Sequence, residues 1–338
     1  MTDSIFTHPA MPVSEFRSVV TQIEEAVATV MVGQSAIVQE VLISLIGGGH
    51  VLLEGVPGLG KTMLVRTLAD ALDLHFSRIQ FTPDLMPADI TGTNLLLEDD
   101  AGRKQFAFQP GPIFANLVLA DEINRATPKT QSALLEAMAE RQATVANEVH
   151  HLASPFFVLA TQNPLEMEGT YPLPEAQLDR FFFKLIVPYP SAEELTEIVR
   201  RTTLPAPPQT SAVASGETIA QMGLMARQVP IATAVTDYVV RLTLATHPTP
   251  PDRNGGAPAP DVVRRFVRYG VSPRGAQSIV LGAKIRALME GRLNVAFDDV
   301  RAVAMPALRH RLILNFDAES GGVSADAVLT ELLATLPE

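Results

Sequence analysis

The chain has 338 residues, a length typical of about two domains, and 47% of them are hydrophobic, enough for a large buried core. Its 26 basic and 37 acidic residues give a formal net charge of −11, which argues against a nucleic-acid backbone as the main partner. The lack of cysteine excludes disulfides and thiolate metal sites. We expect no membrane span and no export signal, so the predicted location is the cytoplasm.

Five short apolar runs predict buried parallel strands that alternate with helical patterns. They are Val51–Glu54, His75–Phe81, Leu117–Ala120, Phe156–Thr161 and Phe181–Val187. The clearest helix between them is predicted over Thr127–Arg141, where Leu134, Leu135 and Met138 recur at helical spacing. This alternation predicts a doubly wound α/β fold that binds ligands at the carboxyl ends of its strands.

Helical patterns dominate the chain after Pro188. Ser191 and Glu194 predict a capping box that opens a helix to about Arg201. Further helices are predicted over Glu217–Gln228, Ala234–Ala245, Pro260–Tyr269, Ser272–Arg292 and Asp298–Leu312, and loops over Leu204–Pro208 and Thr246–Pro260. We therefore predict an α/β domain over residues 1–188 and a helical domain over residues 189–338.

The segment from Gly55 to Thr62, GVPGLGKT, fits the pattern of a phosphate-binding loop, G-x-x-x-x-G-K-[ST]. It follows a predicted strand and precedes a helix predicted from Met63, which is the context that such a loop requires. Lys61 can reach the β and γ phosphates, and the Thr62 hydroxyl can ligate Mg²⁺. The pattern predicts a nucleoside triphosphate held by Gly55, Pro57, Gly58, Leu59, Gly60, Lys61, Thr62 and Met63.

Polar residues also follow two later strands. Asp121 and Glu122 end the run LVLADE, where Asp121 would anchor magnesium and Glu122 would polarise water. Without the upstream loop, an acidic strand end facing solvent would be an equally good interpretation. Asn163, at the end of the next strand, would orient the attacking water, although an Asn that opens a Pro-containing turn is the plainer alternative.

Two arginines complete the set of candidates. Arg180 precedes the Phe-Phe-Phe strand and would serve as a finger on a neighbouring subunit's γ-phosphate. A charge at a helix C-terminus and an ion pair within the chain are the alternatives. Arg274 follows Ser272 and Pro273, which predict a helix N-terminus. A cation is unfavourable in the first turn of a helix, and an anionic ligand would compensate for it.

These motifs, taken in order, resemble those of AAA+ ATPases: Walker A at 55–62, Walker B at 117–122, sensor 1 at Asn163, the arginine finger at Arg180 and sensor 2 at Arg274. More specifically, EGVPGLGKT, LADEINRA, ATQNP, EAQLDRF and SPRG closely resemble the MoxR family. The resemblance extends from about Val32 to the C-terminus and is strongest over 50–188. The stretches at about 90–108 and 143–152 resemble the helix-2 insertion and the extra hairpin of this clade, with plain surface hairpins as the alternative.

The resemblance implies a P-loop AAA+ fold with a five-stranded parallel sheet and an all-helical lid. It implies Mg²⁺-dependent ATP hydrolysis, with Thr62 and Asp121 on the metal and with Glu122, Lys61, Asn163, Arg180 and Arg274 as the catalytic residues. It also implies ring-shaped homo-oligomers, with hexamers expected. It further implies that the protein takes part in chaperone-like maturation of client enzymes and has a von Willebrand factor A domain protein as a partner. Two points stay open: whether Arg274 acts on its own subunit's nucleotide, and whether Arg125 serves a subunit interface or an ion pair.

Three other functions fit parts of the sequence. A nucleic-acid motor of the same superfamily would use similar insertions, but residues 142–184 contain only Arg180 and Lys184 as basic residues. The ATPase subunit of a metal chelatase shares the fold, and an ATP-gated scaffold with little turnover would share the loop. A metal site at His150 and His151 is not expected, because adjacent residues of a strand point to opposite sides.

Overall fold

A computed structural model describes residues 11–98, 104–163, 169–205, 208–249 and 259–337. Several predicted features fall partly outside them. These are the first ten residues of the predicted α/β domain, residues 99–103 of the predicted insertion, Pro164 of the ATQNP motif, residues 206–207 of the loop predicted over Leu204–Pro208 and most of the loop predicted over Thr246–Pro260.

The described residues form strands and helices that alternate through the first half of the chain and are mostly helical in the second. The strands are β1 (Val51–Glu54), β2 (Phe76–Gln80), β3 (Gly92–Glu98), β4 (Lys104–Pro110), β5 (Leu117–Asp121), β6 (Gln142–Val145), β7 (Glu148–His151), β8 (Phe157–Gln162), β9 (Phe183–Ile186), β10 (Val267–Tyr269) and β11 (Ile313–Leu314). The helices are α1 (Val13–Val30), α2 (Ser35–Ile46), α3 (Lys61–Ala71), α4 (Pro87–Thr91), α5 (Pro128–Glu140), α6 (Glu175–Leu178), α7 (Ala192–Thr202), α8 (Gly216–Gln228), α9 (Thr233–Ala245), α10 (Asp261–Phe266), α11 (Pro273–Met289), α12 (Phe297–Leu308), α13 (Phe316–Ser320) and α14 (Ala325–Thr335).

The central sheet has five parallel strands in the order β2–β5–β8–β1–β9. The predicted doubly wound α/β fold is confirmed, and all five predicted strands belong to this sheet. Because the strands are parallel, their carboxyl ends share one side of the sheet. The ends of β5, β8 and β1 are neighbours there, which brings together three segments that are far apart in the sequence.

Apolar side chains pack on both faces of the sheet. Along β1, Val51 and Leu53 join one core cluster and Leu52 joins the other, because successive side chains of a strand point to opposite faces. The larger cluster lies between the sheet, α1, α2, α3 and the C-terminal helices. The smaller one lies between the sheet and α5. Burial on both faces explains the continuous apolar runs from which the strands are predicted.

Two N-terminal helices were not predicted. α1 buries Phe16, Val20, Ile23 and Val27, a spacing of three and four residues that is the signature of a helix with one apolar face. α2 is apolar over most of its length and is largely buried. Both pack against α11, so the N-terminal segment joins the two halves of the chain.

Two antiparallel hairpins leave the α/β layer. β3 pairs with β4, and β6 pairs with β7. They largely coincide with the stretches predicted as the helix-2 insertion and the extra hairpin, although β4 continues to Pro110 and β6 begins at Gln142; that assignment stays a prediction. His150 lies on β7, where its ring stacks on Phe108 with centroids 3.8 Å apart.

The C-terminal half consists mainly of helices packed around α11. Its predicted helices are present, and the capping box of α7 forms between Ser191 and Glu194. The helix predicted over Pro260–Tyr269 ends at Phe266, because the next residues form β10, which pairs with β11. β9 ends at Ile186 and α7 begins at Ala192; the domain boundary at residue 188 stays a prediction. Within the described ranges, no helix has the length and apolar character needed to cross a membrane.

Candidate active site

The predicted phosphate-binding loop connects β1 to α3. Gly58 and Gly60 have φ angles of +85° and +78°, a region that glycine adopts without a Cβ clash. Because α3 begins at Lys61, its free N–H groups and the positive end of its dipole face the loop. Lys61 Nζ donates a hydrogen bond to the Gly55 carbonyl oxygen at 2.6 Å. The loop is therefore shaped as a cradle for an anion.

Thr161 joins the two carboxylate residues at the end of β5. Its hydroxyl donates to Asp121 Oδ1 at 2.7 Å and accepts from the Glu122 backbone N–H at 2.8 Å. Glu122 has a φ of +57°, which turns the chain out of the strand. Thr161 is buried on β8, the strand next to β5, so the sheet itself fixes Asp121 and Glu122 beside the loop.

Both carboxylates have further partners in the same chain. Gln80 Nε2 and Arg125 Nη1 each donate to Glu122 Oε2 at 2.9 Å. Arg78 donates to Asp121 Oδ2 from Nη2 at 2.6 Å and from Nε at 3.2 Å. Of the two alternatives for Arg125, the ion pair within the chain is thus present.

The charge on Lys61 responds to opposing influences. Burial lowers the pKa of this lysine, while the carboxylates of Asp121, Glu122 and Glu54 act to raise it. A polyphosphate in the cradle would add negative charge next to the ammonium group and favour its protonated form. The local electrostatics therefore suit an anionic ligand.

The loop, the end of β5 and the end of β8 enclose a cleft of about 590 Å³. Most of the predicted site residues line it: Pro57, Gly58, Gly60, Lys61, Thr62, Met63, Asp121, Glu122 and Asn163. Gly55 and Leu59 belong to the same loop but do not line the cleft. Asn163 is buried, with 6% of its surface exposed. The cleft also contains residues that were not predicted: Arg66, Arg78, Gln80 and Thr161.

The donor set of the cleft fits a magnesium ion bound together with a nucleotide. The Thr62 hydroxyl and the Asp121 carboxylate line the same cleft and are oxygen ligands of the kind that Mg²⁺ prefers. The part of the chain that the structure describes contains no group of three or more His, Cys, Asp or Glu residues that could hold a metal alone. Mg²⁺ is usually held by one or two protein groups plus phosphates and waters, which matches this sparse set.

Arg180 and Arg274 do not line this cleft but a second one, which we call the arginine groove. It has a volume of about 940 Å³ and lies between the α/β layer and helices α8, α9 and α11. Arg180 Nη1 donates to the Leu135 carbonyl oxygen at 3.3 Å, and Arg274 Nη1 lies 3.5 Å from Asp179 Oδ2. Arg227 and Lys284 line the groove as well. The structure thus brings the two predicted arginines together, apart from the phosphate-binding loop of their own chain.

Asp179 connects the segment carrying Arg180 to the helices. Arg311 Nε donates to Asp179 Oδ1 at 2.8 Å, and the Ser272 hydroxyl donates to the same oxygen at 2.7 Å. Arg311 also donates to the main-chain carbonyl oxygens of Asp179, Phe181 and Phe182. Ser272 holds the N-cap position of α11 as predicted, yet its side chain makes no capping bond because its hydroxyl is directed to Asp179.

The sequence contained a signal for some of the residues that were missed. Arg78 and Gln80 are two positions apart in a predicted strand, so their side chains share one face of it. That strand is β2, which lies next to β5. Arg311 carries no comparable signal, because it lies 132 residues from Asp179 and belongs to no short motif.

Comparisons with known proteins agree with this site. Residues 50–183 match the model of the ATPase family associated with various cellular activities, and residues 261–332 match that of the AAA lid domain. A solved structure from Cytophaga hutchinsonii, named a candidate ATPase, superposes with a TM-score of 0.87, is 38% identical and is matched over 96% of each chain. Fold, site and matches together define an ATPase of the AAA class.

The chain belongs to the MoxR family. It is 44% identical to Chaperone MoxR1 of Mycobacterium tuberculosis over 310 residues, which cover 92% of this chain and 80% of that relative. It is 31% identical to Protein MoxR of Paracoccus denitrificans over 323 residues, which cover 90% and 91% of the two chains. YeaC of Bacillus subtilis, an uncharacterised protein, is 42% identical over 313 residues, which cover 92% of each chain.

Proposed function

We propose that this chain is a Mg²⁺-dependent ATPase that works in a homo-oligomeric ring and remodels protein partners. The observation that carries the proposal is the shared cleft in which Lys61 and Thr62 of the loop meet Asp121, Glu122 and Asn163. Hydrolysis of a triphosphate needs groups that bind the phosphates, a ligand for the metal and a group that positions the attacking water, and these residues would supply all three.

Each side chain has a role that follows from its place. Lys61 and the N-terminus of α3 would bind the β and γ phosphates, and Thr62 and Asp121 would hold the metal. Glu122 would accept a proton from the attacking water, and Asn163, a neutral amide, would orient that water without adding charge. The bond from the Glu122 N–H to the Thr161 hydroxyl keeps the carboxylate at the end of β5.

Arg180 and Arg274 would act on the nucleotide of a neighbouring subunit. Both line the arginine groove, which has no residue in common with the phosphate-binding cleft. An arginine supplied from another subunit stabilises the charge that develops on the transferred phosphoryl group. This placement supports action on a neighbouring subunit's nucleotide for both arginines. For Arg274, the sequence left open whether it acts on the nucleotide of its own subunit.

The partners follow from the family. One relative is named a chaperone, which supports a role in maturation of client enzymes, and we propose a von Willebrand factor A domain protein as a partner in that work. We also propose a hexameric ring and a cytoplasmic location. Affinity capture with an ATP-locked variant, followed by mass measurement of the retained proteins, identifies the partners.

Glu122→Gln tests the catalytic assignment. Because the amide keeps the size of the side chain but is a poor base, ATP binding should be retained while phosphate release falls by about 100-fold or more. Calorimetry measures binding and a phosphate-release assay measures turnover. Glu331→Gln, the same change at an exposed position of α14, is the control and should leave both unchanged. Full turnover in Glu122→Gln would remove Glu122 from its role.

A further inference from the structure

A chain of polar contacts on β2 connects the two carboxylates of the cleft. Arg78 Nη2 donates to Asp121 Oδ2 at 2.6 Å and to Gln80 Oε1 at 2.7 Å. Gln80 Nε2 in turn donates to Glu122 Oε2 at 2.9 Å. β2 is the outer strand of the sheet beside β5, and register places Gln80 directly opposite Asp121. Two residues of one strand therefore hold the two acids that the proposed reaction uses.

The oxygens of Asp121 are already engaged within the chain. Oδ1 accepts the hydroxyl of Thr161, which is buried, and Oδ2 accepts two N–H groups of Arg78. A metal bound to Asp121 through Oδ2 would share this oxygen with a guanidinium group, and two cations on one oxygen repel each other. The contact of Arg78 and the contact of a metal at Oδ2 are therefore competitors.

The two partners differ in how easily they move. The Asp121 side chain is 15% exposed and is anchored to β8 through Thr161, whereas the Arg78 side chain is 47% exposed. A half-exposed ion pair contributes little net stability, because water and salt screen it. The arginine is thus the partner that leaves.

We propose that Arg78 is the internal counter-ion of Asp121 that a divalent cation displaces, and that it sets the metal affinity of the cleft. The proposal rests on the proposed function, in which Asp121 holds the metal. Once displaced, the guanidinium group remains in a cleft that takes a polyphosphate, where it gains an anionic partner. Arg78 therefore weakens binding of metal alone and couples metal binding to nucleotide binding.

A role for Arg78 in orienting Asp121 predicts the opposite sign. If the arginine held the carboxylate in the geometry that a metal requires, its removal would weaken metal binding. If it competes, its removal strengthens metal binding. The sign of one change in affinity therefore separates the two roles.

The test measures Mn²⁺ binding to the full chain by electron paramagnetic resonance, with and without ADP. Arg78→Gln should bind Mn²⁺ without nucleotide about fivefold more tightly than the unaltered chain, the factor expected for loss of a half-exposed ion pair. ADP should strengthen Mn²⁺ binding less in Arg78→Gln than in the unaltered chain. Arg78→Lys, which keeps the charge but loses the two-pronged contact, should fall between them.

Arg66→Gln is the matched control, because Arg66 lines the same cleft and its substitution removes the same charge. An equal gain in Arg66→Gln, or unchanged or weaker Mn²⁺ binding in Arg78→Gln, would overturn the proposal. If Arg78→Gln does not fold, as judged by circular dichroism, the same criteria apply to Arg78→Lys.

Asp121→Asn tests the proposed function separately. Unaltered Mn²⁺·ADP binding in that variant contradicts the metal-binding role of Asp121, whereas loss of this binding supports it. In the latter case, the Arg78 variants decide whether Arg78 competes with the metal or orients Asp121.

Discussion

The phosphate-binding cleft and the arginine groove hold the complementary halves of the proposed catalytic centre. The cleft offers a backbone cradle at Gly58 and Gly60 and the carboxylates of Asp121 and Glu122. The groove offers cations and, among the described residues that line it, a single carboxylate, that of Asp179. A subunit interface would join the phosphate cradle of one subunit to the arginines of its neighbour. One chain therefore carries both halves of the proposed site but does not bring them together.

The two regions also differ in how they are held. In the cleft, Arg78 and Arg125 contact the carboxylates through half-exposed side chains. In the groove, the segment of Arg180 is anchored by Arg311, whose side chain is 2% exposed. Half-exposed arginines suit groups that change partners when a ligand binds, whereas a segment anchored by a buried arginine suits a part that must reach another subunit in a fixed position.

Substitutions in the two regions should separate nucleotide binding from turnover. Lys61→Ala removes the ammonium group from the cradle and should abolish saturable ATP binding, measured by calorimetry. Arg180→Ala should keep ATP binding but lower turnover by about 1,000-fold, because an arginine finger acts on the transition state. Arg200→Ala, on an exposed face of α7, is the control and should match the unaltered chain in both assays. Loss of ATP binding in Arg180→Ala would place Arg180 at its own subunit's nucleotide.

The anchoring of the groove predicts a large loss of stability on removal of Arg311. Arg311→Met removes a buried donor from the Asp179 carboxylate and from four main-chain carbonyl oxygens. The free energy of unfolding, from urea titration, should fall by about 4 kcal/mol. Arg264→Met breaks an exposed pair with Asp261 and should cost less than about 1 kcal/mol. Equal costs for the two variants would contradict the anchoring role.

Acid should destabilise the chain through His50, which lines the groove. Its Nδ1 accepts the Val158 N–H and its Nε2–H donates to the Met138 carbonyl oxygen, so the buried ring is neutral. Burial lowers the pKa of His50 from 6.5 to about 4. The unfolded chain therefore binds a proton more readily, and this contribution to stability, complete above pH 6.5, is lost as the pH falls towards 4.

The loss assigned to His50 is about 3 kcal/mol between pH 7 and 4. Burial also raises the pKa of Glu40 to about 6, which opposes the loss in part of this range. Comparison with His50→Gln cancels the effect of Glu40, because both chains contain it. Urea titrations at pH 7 and 4 should give a smaller decrease in the variant; equal decreases would exclude His50 as the cause.

Local patterns were sufficient to predict most of the residues that line the cleft. Lys61 and Thr62 lie in one continuous loop, and Asp121 and Asn163 each follow an apolar strand whose place in the sheet can be predicted from the fold. The contact of Arg78 with Asp121 could not be predicted in this way, because it joins residues 43 positions apart through side-chain geometry. The same holds for Arg311, which depends on how the C-terminal helices pack on the α/β layer.

The N-terminal helix α1 has a local signal but a distant packing partner. Phe16, Val20, Ile23 and Val27 follow helical spacing, although no motif accompanies them. They pack against α3 and also against α11, a helix more than 240 residues further along the chain. Such a helix can be predicted as an amphipathic segment, but its packing cannot.

Mixing two inactive variants is the decisive test of the division between cleft and groove. Lys61→Ala subunits keep the groove and Arg180→Ala subunits keep the cleft, so an interface between them can restore one complete centre. We predict that mixed assemblies, verified by native mass spectrometry, hydrolyse ATP far faster than either variant alone. Mixed assemblies that form and hydrolyse no ATP would contradict a centre shared between subunits.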